Sequence, residues 1–247
     1  MGEPTQPLWS ASQATPLRGT REVSSRELIT SRDNEKLKLV RKLHERRWRD
    51  KLGLFFVEGE DLVDAACAAG WEAVELLVAG EDVEPALLGE VSTLGHPPRV
   101  VGVFRRREPA AAADVALALW RVSDPGNVGT LIRSADAFGA GVMLSEGCAD
   151  PFGPRALRAG MGSTFRVPLP DFELRNAVAL VPEGGQPLGD LHRFSTLLLG
   201  SEREGLPQEV VERCDARMTI PVQDVESLNV AMAGTIALYE HARQAGV

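Results

Sequence analysis

Three short stretches combine glycine with hydrogen-bonding side chains in a way that could hold a ligand: Asn127–Gly129, Gly200–Gly205 and Ser227–Asn229. Glycine at 200 and 205 would let backbone N–H and C=O groups approach a bound group closely. Arg133 lies beyond Asn127 in the same run and carries a guanidinium that stays protonated in proteins. Such a set offers binding and charge stabilisation. Other chemistries find little support, since His44, His96, His192 and His241 show no partner pattern suggesting a triad. Cys67, Cys148 and Cys214 are odd in number and widely spaced, so they read as buried thiols in a reducing compartment and a metal site is not expected. No G-x-G-x-x-G, G-x-x-x-x-G-K-[ST] or G-x-S-x-G run occurs, which disfavours the ordinary nucleotide folds and the esterase elbow. Taken singly, each stretch reads equally as a turn or a cap, and Arg133 as a solvated arginine.

The elements that would position these residues are legible around the first stretch. Val115–Val122 is short and apolar, as a buried strand is. Asp124-Pro125-Gly126 breaks it, Asn127 can cap a helix, and Val128, Leu131, Ile132, Ala135 and Phe138 recur at helical spacing. Arg133 falls about 140° from Val128, off the apolar stripe. Gly139 sits where a helix end wants positive φ, and Gly141–Ser145 follows as the next strand. Further strands are expected at 165–169, 177–181, 196–200 and 218–222, a helix from Pro207 through Val211, and a last helix over 228–243 capped by Ser227. Repeated strand–helix alternation predicts a parallel sheet. The three glycine-polar stretches would then share the carboxyl edge where open α/β sheets bind ligands.

The net charge of −8 hides an asymmetry. From Arg32 to Lys51 nine Lys or Arg face four Asp or Glu, a local +5 that leaves −13 on the remainder. Leu37, Val40, Leu43 and Trp48 trace a narrow apolar stripe through this run, predicting a basic amphipathic helix over 31–50, with Trp48 used in core packing or in stacking on a base. Strands at 54–57, 74–78 and 100–104 and a helix over 61–69 would complete a small α/β unit, followed by Arg105-Arg-Arg107. The predicted organisation is a flexible tail over 1–28, a first domain over 29–106, a linker over 107–114 and a second domain over 115–247. No apolar run approaches a membrane span, the N-terminus lacks an apolar signal core, and Gln6 stands where a myristoylation signal would want Ser or Thr. Cytoplasm is the expected location.

Together the stretches carry a resemblance. Asn127-Val-Gly-Thr-Leu-Ile-Arg133 with Phe138-Gly139, then Leu199-Gly-Ser-Glu-Arg-Glu-Gly-Leu206, then Ile220-Pro-Val222 with Glu226-Ser-Leu-Asn-Val230 and Leu238-Tyr-Glu240 resemble, in order and spacing, the three motifs of the SpoU (TrmH) branch of the SPOUT RNA methyltransferases. Arg158-Ala-Gly-Met-Gly-Ser-Thr-Phe-Arg-Val-Pro168 is similar to a segment between the first two motifs. Ser31-Arg-Asp-Asn34 with Gly53-Leu-Phe-Phe-Val-Glu-Gly59 resembles the small substrate-binding domain, related to a ribosomal-protein fold, that many members carry. The resemblance implies an α/β protein whose C-terminal parallel-sheet domain is tied in a trefoil knot, with a smaller N-terminal α/β domain. It implies S-adenosylmethionine as cofactor, a homodimer, RNA as partner, and methyl transfer to a ribose 2′-hydroxyl, with large-subunit ribosomal RNA ahead of transfer RNA.

By the same resemblance, Arg133, Asn127, Glu202, Ser227 and Asn229 form the catalytic set, and Leu199, Gly200, Gly205, Ile220, Val222 and Leu228 hold the cofactor. RNA binding falls to Arg32, Lys36, Lys38, Arg41, Lys42, Arg46 and Arg47, with Arg105, Arg106 and Arg158. Ser201 stands where the second motif often has Asn, and Gly160 where the intermediate segment often has Ser; either departure weakens a hydrogen bond to RNA. A base-nitrogen RNA methyltransferase, and a catalytically silent RNA-binding or ribosome-assembly factor, are the alternatives.

Overall fold

A computed structural model describes residues 27–107, 113–223 and 227–246. The expected tail and linker fall mostly outside these residues, and Glu226 wholly so. The chain divides into two compact units, Met1–Arg107 with Phe152–Pro154, and Glu108–Pro151 with Arg155–Val247.

The first unit runs α1 (Glu35–Leu43), α2 (Arg46–Leu52), β1 (Leu54–Glu58), α3 (Glu60–Ala68), β2 (Ala73–Val78), α4 (Pro85–Val91) and β3 (Val100–Arg105). The single basic helix expected over 31–50 is two. Glu45 is extended (φ −94°, ψ 132°), which stops the first helix. The buried side chain of Arg49 donates from Nη1 to the carbonyls of Leu43 (2.7 Å) and His44 (2.9 Å), satisfying acceptors that a helix end leaves open. Alternation correctly gives β1 and β2 the same direction, but β3 lies between them and runs antiparallel to both. The sheet here is therefore antiparallel. Helix α4 had no counterpart among the sequence expectations, although Pro85 in its first turn with Leu87, Leu88 and Val91 buried is a helical signal.

The second unit continues with β4 (Ala116–Leu119), α5 (Pro125–Ala137), β5 (Gly141–Leu144), α6 (Pro154–Gly160), β6 (Ala177–Leu180), β7 (Gln186–Pro187), β8 (Thr196–Leu199), α7 (Gln208–Val211), β9 (Ala216–Thr219) and α8 (Val230–Ala245). Its six strands are all parallel, in the order β5-β4-β8-β6-β9-β7. Both faces are covered at the centre of the sheet, where β4 and β6 are apolar throughout and β8 carries only Thr196 as a polar residue. Leu117, Leu119, Leu197 and Leu199 pack with Leu131 and Ile132 of α5 and Leu238 of α8, while Ala116, Ala118 and Leu198 face Val210 of α7. Burying one such leucine stabilises the unit by about 1.5–3 kcal/mol.

Both expected caps shift. Asp124, not Asn127, caps α5: its Oδ1 accepts from the Asn127 N–H at 2.9 Å, and Pro125 opens the first turn. Asn229, not Ser227, caps α8, its Oδ1 accepting from Ala231 N (2.9 Å) and Met232 N (3.3 Å). The strand expected at 165–169 does not form. A 3₁₀ turn occupies Ser163–Phe165, Pro168 has no N–H to give a ladder, and only its carbonyl pairs, accepting from Val142 N at 2.9 Å. Strand β9 ends at Thr219, leaving Ile220–Val222 in a loop. Cys148 is buried as expected, whereas Cys67 and Cys214 are half-buried; none of the three is in a disulfide.

Candidate active site

Strand β8 delivers Leu199 and Gly200 to the carboxyl edge, where the chain turns back on itself. Ser201 and Gly205 exchange two backbone hydrogen bonds of 3.1 Å each. That closure requires glycine at 200, because a Cβ there would stand 2.3 Å from the Gly205 carbonyl carbon and 2.6 Å from its oxygen. The Ser201 hydroxyl accepts from Glu204 N at 3.2 Å, tightening the loop from within.

The loop so formed projects Glu202 toward the segment after β4. Its carboxylate accepts from Asp124 N (3.0 Å), Ser123 N (3.2 Å) and Asn127 Nδ2 (3.0 Å). The Asn127 Oδ1 in turn accepts from Asn229 Nδ2 at 3.2 Å, and Asn229 caps α8. A continuous chain, Glu202 to Asn127 to Asn229, thus ties together three loops whose outermost members are 102 residues apart in sequence. Partial burial pushes the Glu202 carboxyl up, but the donors from Asn127, its own backbone, Asp124 and Ser123 outweigh this and hold it below the ordinary glutamate value. Glu202 is consequently an ionised strut with its oxygens engaged, poorly suited to take or give a proton near neutrality.

Beside this chain is a cavity of about 520 Å³, within the range of small-molecule sites. Leu199, Gly200, Gly205, Ile220, Val222 and Leu228, the six residues nominated for the cofactor, all line it. Glu202, Ser227 and Asn229 of the catalytic set line it as well, and Asn127 stands one hydrogen bond behind two of them. Leu180, Val181 and Pro182 also line it and were not nominated; their signal was the apolar run ending β6 at the same sheet edge. The cavity offers apolar walls, backbone groups exposed at the glycine turn, and a polar rim. Such a combination holds a nucleoside-like group flat between apolar side chains while the backbone reads its polar edge.

Arg133 is not brought to this cavity. It lies on α5 beyond Asn127, is exposed, and makes no hydrogen bond or ion pair among the described residues. Among the described residues no group of three or more His, Cys, Asp or Glu could hold a metal ion, and no helix is long and apolar enough to cross a membrane.

Most of the residues nominated for RNA are occupied by acids. Lys36 pairs with Glu75 (2.7 Å), Lys38 with Glu35 (2.9 Å), Arg46 with Asp50 (3.6 Å), Arg47 with Glu45 (2.7 Å), Arg105 with Glu72 (3.1 Å) and Arg106 with Asp50 (2.8 Å). Arg32 and Arg41 share Glu90, at 3.4 and 3.9 Å. Trp48, expected in core packing or in stacking on a base, is half-buried. Lys42, Arg47 and Lys51 converge on its ring at 5.5, 5.6 and 5.1 Å from the centroid. Lys42 and Lys51 have no acidic partner among the described residues, so positive charge is concentrated there. Arg158, in the second unit, is half-buried after α6 begins.

Comparison with known proteins places these features in context. Residues 114–239 match the model described as SpoU rRNA Methylase family, and residues 34–102 match the MRM3-like substrate binding domain. The 23S rRNA (guanosine(2553)-2′-O)-methyltransferase RlmP of Bacillus subtilis is 32% identical over 241 residues, covering 85% of this chain and 97% of that protein. The 23S rRNA (uridine(2479)-2′-O)-methyltransferase of Streptomyces viridochromogenes is 31% identical over 274 residues, covering 92% and 95%. The crystal structure of an AdoMet-bound rRNA methyltransferase from Sinorhizobium meliloti superposes with a TM-score of 0.78 at 30% identity, covering 88% of this chain and 98% of that one.

Proposed function

The chain belongs to the SpoU rRNA methylase family, and from that membership we propose that it is an S-adenosylmethionine-dependent methyltransferase acting on a ribose 2′-hydroxyl of 23S ribosomal RNA. The observation that carries this reading is the Glu202–Asn127–Asn229 chain beside an apolar cavity at the carboxyl edge of the parallel sheet.

The residues present fit the cofactor: the turn at Gly200 exposes backbone at a point a Cβ would close, and Leu199, Ile220 and Leu228 give apolar faces to an adenine. When bound, S-adenosylmethionine supplies a methyl group on a positively charged sulfur whose neutral thioether leaves readily. The remaining demand falls on the protein, which must hold the hydroxyl in line and stabilise the negative charge that grows on its oxygen. Arg133 is suited to that work as a donor, since a guanidinium does not lose its proton to act as a base. Glu202 fixes Asn127 and the start of α5, the helix carrying Arg133, while Ser227 and Asn229 contribute polar groups at the cavity rim.

A homodimer is part of the same reading. Met232, Ile236 and Tyr239 of α8 are 62%, 38% and 54% exposed and follow one another at helical spacing, an apolar stripe suited to a second copy. The family membership is what supports a trefoil knot in the second unit and a cytoplasmic location beside the ribosomal substrate. Trp48 with Lys42, Arg47 and Lys51 is the proposed RNA-binding focus of the first unit.

The test is incubation of the purified full chain with methyl-labelled S-adenosylmethionine and protein-free 23S rRNA, followed by nucleoside analysis. Label in a 2′-O-methyl nucleoside is expected. Label in a base would move the acceptor to a ring nitrogen; no label together with no cofactor binding would leave an RNA-binding or ribosome-assembly factor.

A further inference from the structure

Met161 occupies a position that stability alone would not give it. Its backbone is left-handed, φ 48°, followed by Gly162 at φ 85°. That conformation is unfavourable for a side chain with a Cβ, and methionine gains little in return here because it is 58% exposed. Glycine or asparagine would fill the turn at lower cost. The surrounding structure enforces the geometry from both sides, as is common where backbone strain serves a function.

On one side, α6 abuts α5 at Gly129: a Cβ at Gly129 would meet the Ala156 carbonyl oxygen at 2.3 Å and Gly160 N at 2.9 Å. On the other, Arg166 forms an ion pair with Asp136 of α5. Gly129, Arg133 and Asp136 are spaced four and three residues apart and so share one face of that helix. The chain from 160 to 166 therefore runs along the stripe on which Arg133 stands, and Met161 is the exposed apolar residue of that stretch. Two arginines of these two helices are exposed, Arg155 of α6 and Arg133 of α5, and Arg133 is unpaired among the described residues, whereas Arg166 is held by Asp136.

We propose that Met161 contacts the base of the target nucleotide, an unpaired one, while Arg133 addresses its ribose. This rests on the proposed RNA methylation and names the feature of the RNA that the site accepts. An aromatic base laid against a thioether is a favourable contact, and an unpaired base is the part of RNA that can be turned out to meet it. The exposed Arg133 and Arg155 favour a polyanion over a second copy of the chain, whose suited surface is the apolar stripe on α8.

The experiment compares wild type, Met161→Gly and Met161→Leu for methyl transfer to protein-free 23S rRNA, with cofactor affinity, melting temperature and molecular mass measured alongside. Met161→Gly should raise KM for RNA about two- to tenfold, the span of a sulfur–aromatic contact. It should melt no lower than wild type, keep its cofactor affinity and keep its mass. Met161→Leu should recover most of the loss. A glycine variant with wild-type KM overturns the proposal, as does one that changes molecular mass, which would give Met161 to the subunit contact. A wild type that methylates no ribose sinks the parent reading and this inference with it, a result distinct from the other two.

Discussion

Replacing Glu202 by alanine should separate the three loops that its carboxylate joins. The side chain accepts three short hydrogen bonds of 3.0, 3.0 and 3.2 Å, two from backbone N–H groups and one from Asn127, besides a long one of 3.5 Å from the Ser123 hydroxyl. Bonds to a charged acceptor contribute roughly 1.5–3 kcal/mol each when buried. Glu202 is exposed, so water replaces much of what is lost, and the sum falls to about 2 kcal/mol for all three. In a protein of this size that lowers Tm by about 4–8 °C. Glu202→Gln should rescue little, since its amide keeps one acceptor and turns an NH₂ toward a backbone N–H.

The pH dependence follows from the carboxyl being held below its ordinary 4.5. A depressed folded-state pKa contributes stability that is complete above the unfolded value and disappears as pH falls through the folded one. The gap in Tm between wild type and Glu202→Ala should therefore be full at pH 7 and shrink below about pH 4.5. Circular dichroism melts at pH 7, 5 and 4, with methyl transfer at pH 7, are the assay. We expect transfer to drop about tenfold or more, as Asn127 and the start of α5 lose their anchor. A variant that melts within about 1 °C of wild type at pH 7 and transfers methyl normally would refute the strut assignment.

Arg133→Ala should melt within about 1 °C of wild type, because the side chain is exposed and unpaired, while methyl transfer falls by about 10²–10³; equal activity in scintillation assays would remove Arg133 from the reaction. Gly200→Ala should unfold about 1–3 kcal/mol more easily and lose cofactor binding by calorimetry, since its Cβ would overlap the Gly205 backbone. With about five phosphates neutralised on single-stranded RNA, log affinity should fall against log salt with a slope near −3.5. The double variant Lys42→Ala, Lys51→Ala should make that slope shallower by about 1.4; an unchanged slope in filter binding would place the RNA elsewhere.

The second unit was legible because its signals are local. The buried strands β4, β6 and β8 are almost continuously apolar, and Gly139 (φ 66°) ends its helix as glycine in that place should. In a parallel sheet the 127, 200 and 229 regions must meet at the carboxyl edge, which alternation alone predicts. What the sequence could not show is the wiring between them: the Asn127 amide spans from Glu202 to Asn229, and a local reading gave it to a helix cap that Asp124 provides. Long-range pairing misled the reading of the first unit too. Lys36 and Arg32 look free beside their sequence neighbours, yet Glu75 and Glu90, distant in the chain, neutralise them. Arg49 belongs to the basic run by position but to the core by its bonds to two helix-end carbonyls. Likewise β3 could be found as a strand, but nothing local says that it inserts between β1 and β2.

The most direct test of the proposed reaction is mapping of 2′-O-methylated nucleotides by mass spectrometry in ribosomal and transfer RNA. The cells should lack this gene, carry it, or carry Arg133→Ala in its place. The account predicts that one ribose methyl in 23S rRNA disappears with the gene, returns with the wild-type chain and stays absent with Arg133→Ala. Every ribose methyl persisting while a base methyl vanishes, or full restoration by Arg133→Ala, would contradict it.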